Sequence, residues 1–204
     1  MKKLTLAAGL LFSLGGISSA FGAADGTITF NGRVVDQTCI VSNNTSGNNI
    51  DVKLPTVNKT QLAADGAVAG LTRFNIELTG CKQAAIGGTD GVRAYFLPNS
   101  QYVDPTTHNL KNIAPTTGGT TKAENVQIQL THADTSKVIA VGENVDVQGH
   151  EKDPYKPWFD FVNDTGSTTT AKAKLTYYAQ YVAVGGAAGE GVVQSKVEYN
   201  IIYK

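Results

Sequence analysis

The chain is poor in what most chemical functions need. Its 204 residues hold two Cys, one Met, one Trp, six Pro and three His, and 17 Lys plus Arg balance 17 Asp plus Glu. A formal net charge of zero leaves no clustered cationic excess for phosphate, which argues against a nucleic-acid partner. Two cysteines are too few for a structural zinc site, and His108, His132 and His150 stand far apart without ligand spacing. Neither a Gly-x-Ser-x-Gly elbow, a Walker loop nor a His-Glu-x-x-His run occurs. No enzyme class, metal or cofactor is therefore indicated. A secreted β-sandwich enzyme would need a cluster of titratable groups, and nothing singles one out. What the chain does have is 22 Gly, 23 Thr and 41% hydrophobic residues, a turn-rich, β-favouring composition with enough apolar surface for a core.

The first residues read as an export signal. Met1-Lys2-Lys3 is a short positive start, Leu4 to Ile17 is apolar but too short to span a bilayer, and small residues follow. Cleavage is placed between Gly22 and Ala24, so residues 1–23 form the signal peptide. Its removal takes Lys2 and Lys3 and leaves a net charge of about −2. No later stretch reaches membrane-spanning length, so the product is expected to be exported and soluble. In an oxidising compartment Cys39 and Cys81, 42 residues apart, are expected to pair, stabilising the fold by roughly 4 kcal/mol in the chain-entropy treatment. A redox or nucleophilic role would need Cys-x-x-Cys spacing or a nearby base, neither of which the sequence displays.

Beyond the signal the hydrophobic period is two. Ile28, Phe30, Gly32 and Val34 alternate with Thr27, Thr29, Asn31 and Arg33. The same pattern recurs in Phe74-x-Ile76-x-Leu78, Val92-x-Ala94-x-Phe96, Val126-x-Ile128-x-Leu130 and a short apolar run at 137–141. Two stronger strands follow: Ala173, Leu175, Tyr177, Ala179 and Tyr181 share one face, as do Val193, Val197, Tyr199, Ile201 and Tyr203, with Ser195 the polar member. Gly, Asn, Asp and Pro clusters separate these runs, which predicts an all-β sandwich.

Both ends of the mature chain thus read as strands without proline. A final strand over 192–203 has nothing after it to pair with its far side, and an open apolar edge is an aggregation hazard. The economical solution is complementarity, with the N-terminal strand of one molecule lying beside the C-terminal strand of another.

The run from Ala24 to Cys39, centred on Gly26-Thr27-Ile28-Thr29-Phe30-Asn31-Gly32, resembles the mature N-terminus of chaperone-usher fimbrial subunits, the type 1 and type 3-like pilins. The likeness continues in Phe74 to Cys81 and in Leu175 to Tyr181. It ends on Gly191, fourteenth from the C-terminus, and the penultimate aromatic Tyr203. The middle, from about Pro98 to Gly166, matches less well and is read as subunit-specific loops. The resemblance implies an incomplete immunoglobulin-like β-sandwich completed by a donated strand. Residues 24–35 would be the donor extension and 36–204 the pilin domain.

Carried onto this sequence, the donor set is Gly26, Ile28, Phe30, Gly32 and Val34, with Gly32 facing a part of the groove too shallow for a side chain. Gly191, Val193, Val197, Tyr199, Ile201, Tyr203 and Lys204 would form the acceptor groove and chaperone-recognition site. The implied partners are identical or related subunits, a periplasmic chaperone that anchors the Lys204 carboxylate, an outer-membrane usher, and host or surface receptors. The implied location is an extracellular fimbrium reached through the periplasm, supporting adhesion and biofilm formation. The alternative is a carbohydrate-binding tip adhesin or minor tip subunit. Family adhesins carry an additional receptor-binding domain and lack a donor extension, whereas this chain has about 181 mature residues and the Ile28/Phe30/Gly32 strand.

Two further groups stand out in the sequence. The aromatics of Pro154 to Phe161 could form a sugar platform, but alternate aromatics buried in a sandwich are the better reading. His150-Glu151-Lys152-Asp153 offers consecutive ligands that rarely converge, so loop solvation is expected.

Overall fold

The computed structural model describes residues 39–42, 49–82, 91–116, 121–142 and 158–203, all within one compact unit, Val35–Lys204. The expected signal peptide, the donor extension, Lys204 and the loop from His150 to Asp153 lie outside the described residues.

The described elements are nearly all strands: β1 Ile40–Val41, β2 Val68–Lys82, β3 Val92–Phe96, β4 Leu110–Lys111, β5 Val126–Thr131, β6 Val138–Ile139, β7 Val162–Asn163, β8 Thr170–Ala183 and β9 Tyr199–Tyr203. One 3-10 turn, Lys59–Leu62, is capped by the Asn58 side chain, which accepts from the Thr60 N–H. The larger sheet runs β1-β2-β8-β5-β4, with β6 on β5 and β7 on β8, and the smaller is β3-β9. Every pairing between named strands is antiparallel.

The long β2–β8 pair forms the spine. Phe74 faces Tyr177, Ile76 faces Leu175 and Leu78 faces Ala173, so the two alternating apolar sets lie on one side of the sheet. The register shifts between Ala69 and Thr72, at Gly70. Its φ of +74° suits glycine, and a Cβ there would sit 2.9 Å from the Tyr181 ring.

Ile76, Leu78, Leu130, Leu175 and Tyr177 of the large sheet bury against Val92 and Phe96 of the small one. Cys39 and Cys81 are disulfide-bonded and both buried in this core, stapling the approach to β1 onto β2. Trp158 lies under the Arg93 guanidinium, 4.3 Å from its ring centroid. Phe159 packs edge-on to Tyr177 at 5.5 Å and Phe161 stacks on Tyr203 at 6.4 Å. The alternate aromatics Phe159 and Phe161 thus pack against the core, while Trp158 lies against Arg93.

The expected final strand over 192–203 is shorter than its alternation suggests. Only Tyr199–Tyr203 forms a ladder, because β3 supplies five facing residues and no more.

Candidate functional site

Two extended segments flank the core and lie outside the named strands, except that the second runs into β9 at Tyr199. In residues 49–57, Ile50, Val52, Leu54 and Val57 are half-buried, whereas Asn49, Asp51, Lys53 and Pro55 are exposed. This is strand periodicity with one inward face. Pro55 holds Leu54 extended and contributes no N–H. In residues 192–199, Val193, Ser195, Val197 and Tyr199 are half-buried and the even-numbered residues exposed.

The terminal segment is hydrogen-bonded through its even-numbered residues. Val192 N–H donates to Thr121 O at 2.8 Å, and Val192 O accepts from Ala123 N–H at 3.1 Å. Gln194 O accepts from Ile113 N–H at 2.7 Å and Glu198 O from Leu97 N–H at 2.9 Å. Buried Asn112 completes the clamp: its Nδ2 donates to Val192 O at 3.0 Å and its Oδ1 accepts from Gln194 N–H at 3.0 Å. Backbone groups of successive strand residues point to opposite edges. Those of Val193, Ser195 and Val197 therefore face the other way, and among the described residues no backbone hydrogen bond reaches them or residues 50–57.

Between the two segments runs a groove of about 590 Å³ whose floor is Phe74, Ile76, Ile128, Leu130 and Ala179 of β2, β5 and β8. Ile50, Val52 and Leu54 wall one side and Ser195, Val197 and Tyr199 the other. A second hollow of about 550 Å³ follows along the same two segments, lined by Val57, Leu62, Val126, Tyr181, Gly191 and Val193. The site is a long apolar trough bounded by two edges with backbone groups to offer. Burial pushes the Tyr199 and Tyr181 hydroxyls above their ordinary range, so both stay protonated at neutral pH. Among the described residues no group of three or more His, Cys, Asp or Glu could hold a metal, and no helix is long and apolar enough to cross a membrane.

Gly191 and Val193 line the second hollow, and Val197 and Tyr199 the first. Ile201 and Tyr203 pack on the core from β9. At Gly191, φ is +149° and a Cβ would lie 2.5 Å from both Ala123 N and Thr121 O. Only glycine lets the chain cross that backbone so closely before the terminal segment begins. Gly26, Ile28, Phe30, Gly32, Val34 and Lys204 fall outside the described residues. Sequence reasoning missed the opposite wall and Asn112. The alternation Ile50-x-Val52-x-Leu54 was a signal for the wall; nothing local marks Asn112, whose role depends on distant carbonyls.

Across residues 54–204 the chain matches the family model described as FimA, type-1 fimbrial protein, A. It is 43% identical over 204 residues to the F17 fimbrial protein of Escherichia coli, covering 100% of both chains. It is 41% identical over 189 residues to the major fimbrial subunit SMF-1 of Stenotrophomonas maltophilia, covering 90% of this chain and 95% of that one. A solved chaperone-usher pilus whose structure addresses rod uncoiling is similar with a TM-score of 0.52 at 21% identity, covering 90% of this chain and 98% of that one. That last likeness is one of fold, an immunoglobulin-like β-sandwich.

Proposed function

The chain belongs to the type-1 fimbrial protein A family, and from that premise we propose that it polymerises by donor-strand exchange, residues 26–34 of one copy filling the groove of the next. As a fimbrial subunit it is a structural component of surface pili built from related subunits, and not an enzyme. The observation that carries the proposal is the apolar trough between residues 49–57 and 192–199, walled on both sides by alternating half-buried residues. A strand laid there would pair with both edges, and its inward side chains would complete the core.

Burying Ile28, Phe30 and Val34 would contribute roughly 1.5 to 3 kcal/mol each, less the cost of ordering the segment. The main-chain ladder adds to this, so subunits once joined should separate slowly. An empty trough is also a hazard during export. A periplasmic chaperone that lends a strand and holds the Lys204 carboxylate, followed by exchange at an outer-membrane usher, answers that hazard. Attachment and biofilm formation are the outcome at the level of the cell.

Deleting residues 24–34 is expected to leave a subunit that reaches the periplasm but does not extend a fibre, and Phe30→Asp is expected to do the same. Electron microscopy and surface extraction of fimbriae check this. Normal fibres from the deletion variant would overturn the donor assignment.

A further inference from the structure

The terminal wall of the groove presents Val193, Ser195, Val197, Tyr199 and Ile201 on one face. Val193, Val197 and Ile201 are aliphatic, Tyr199 is an aromatic ring with a phenolic hydroxyl at its far end, and Ser195 is the one small polar residue. The Ser195 Oγ is shielded from solvent and has no hydrogen-bond partner among the described residues, a condition native proteins seldom leave uncorrected. Whatever fills the groove must meet that hydroxyl. A side chain with a Cβ opposite would seal it under carbon, whereas a glycine opposite would leave the incoming main chain within its reach.

The donor segment has five positions on its inward face as well, Gly26, Ile28, Phe30, Gly32 and Val34. Laid parallel in full overlap, it sets Ile28 on Ser195. Laid antiparallel, it sets Gly32 on Ser195, Phe30 on Val197, Ile28 on Tyr199 and Val34 on Val193. Of the two full overlaps, only the antiparallel one puts a glycine against the hydroxyl. Slipping it by two residues brings Phe30 or Val34 over Ser195 instead. Side-chain alternation forbids a slip by one, which would turn every apolar residue outward.

We propose that Ser195 is a positioning residue for subunit joining: its hydroxyl donates to the main-chain carbonyl of the donor strand beside Gly32 and so fixes the antiparallel register. This rests on the donor-strand reading above. The apolar residues supply affinity without distinguishing well between registers two residues apart, and the buried Ser195 hydroxyl supplies the distinction.

The test uses fibres assembled from the full chain and oxidised under mild conditions. Combining Ile28→Cys with Tyr199→Cys, a pair that the antiparallel overlap brings together and the parallel one does not, is expected to give a covalent ladder on a non-reducing gel, and combining Ile28→Cys with Val197→Cys is not. Adding Ser195→Ala should let the second pair cross-link and should speed dissociation of otherwise unmodified fibres in denaturant by roughly 3- to 10-fold, the worth of one net hydrogen bond. Ser195→Thr, which keeps the hydroxyl, should restore the slow rate. If the cysteine pairs block assembly, dissociation rates of Ser195→Ala, Gly32→Ala and the double variant decide; the two effects should be less than additive. Equal cross-linking of both pairs with Ser195 intact, or strict additivity, would overturn the role of Ser195 while leaving donor exchange standing. Fibres in which no position from 26 to 34 cross-links to any from 193 to 201 would overturn both.

Discussion

Tyr177 stands where the two sheets meet. Its ring touches Phe74, Phe96 and Phe159, and its hydroxyl accepts the Ala94 N–H at 3.0 Å. It thereby satisfies a backbone donor on β3 from the opposite layer. Tyr177→Phe keeps the ring and orphans that N–H, so a loss of about 1 to 2 kcal/mol is expected near neutral pH. Burial pushes the Tyr177 hydroxyl up to about 12 from an ordinary value of 10.0. Above pH 10 the unfolded chain releases this proton while the folded chain still holds it, so stability falls as pH rises through that interval. The folded-state preference is fully present below pH 10 and lost by about pH 12, an effect of roughly 2 to 3 kcal/mol. The phenylalanine variant lacks this loss. Urea denaturation at about pH 8 and about pH 12 should therefore show the wild type ahead at the lower pH and its lead reduced or reversed at the higher. A lead that stays constant would remove Tyr177 as the titrating group.

Among the elements, β5 and β8 were legible in the sequence because one buried face imposes strict alternation: Val126 and Leu130, and Ala173, Leu175 and Tyr177, are buried where the period placed them. Alternation reports a face, however, and not a partner. The run 192–198 alternates as cleanly as β9, yet it has irregular loop neighbours on one side and the groove on the other, so no ladder forms. The wall at 49–57 was missed for a related reason, since its short apolar run next to an Asn-rich stretch of sequence has no local partner to suggest a strand. The two-residue strands β1, β4, β6 and β7 exist only because β2, β5 and β8 offer them an edge, which is information held at long range. The disulfide was readable from export and an even cysteine count. It binds the chain at Cys39 to the long strand β2. Replacing Cys39 and Cys81 together by Ala should cost roughly 2 to 5 kcal/mol. Chemical denaturation of the variant against the oxidised wild type checks this, and equal midpoints would show that the loop closure contributes nothing.

At the scale of the molecule, the described unit combines a well-filled centre with an open flank. Ile76, Leu175 and Val92 are fully buried, whereas Val197, Tyr199, Ile50 and Leu54, a few side chains away around the groove, are only half-buried. A strand that covers them would change the stability of the whole sandwich, because it would join residues 49–57 to residues 192–199 and close the flank. Binding that favours the folded state raises its stability by mass action, by about 2.7 kcal/mol at a ligand concentration 100 times Kd. A chain lacking residues 24–34 should accordingly melt at a lower temperature than assembled fibres. A synthetic peptide of residues 24–34 added to it should raise that temperature in proportion to the logarithm of its concentration. The same peptide carrying Phe30→Asp should have little effect, since it would have to bury a carboxylate on the apolar floor. Calorimetry with the two peptides separates the outcomes: a rise with the native sequence alone assigns the flank to the donor strand, and equal curves would mean that the open groove serves some other occupant.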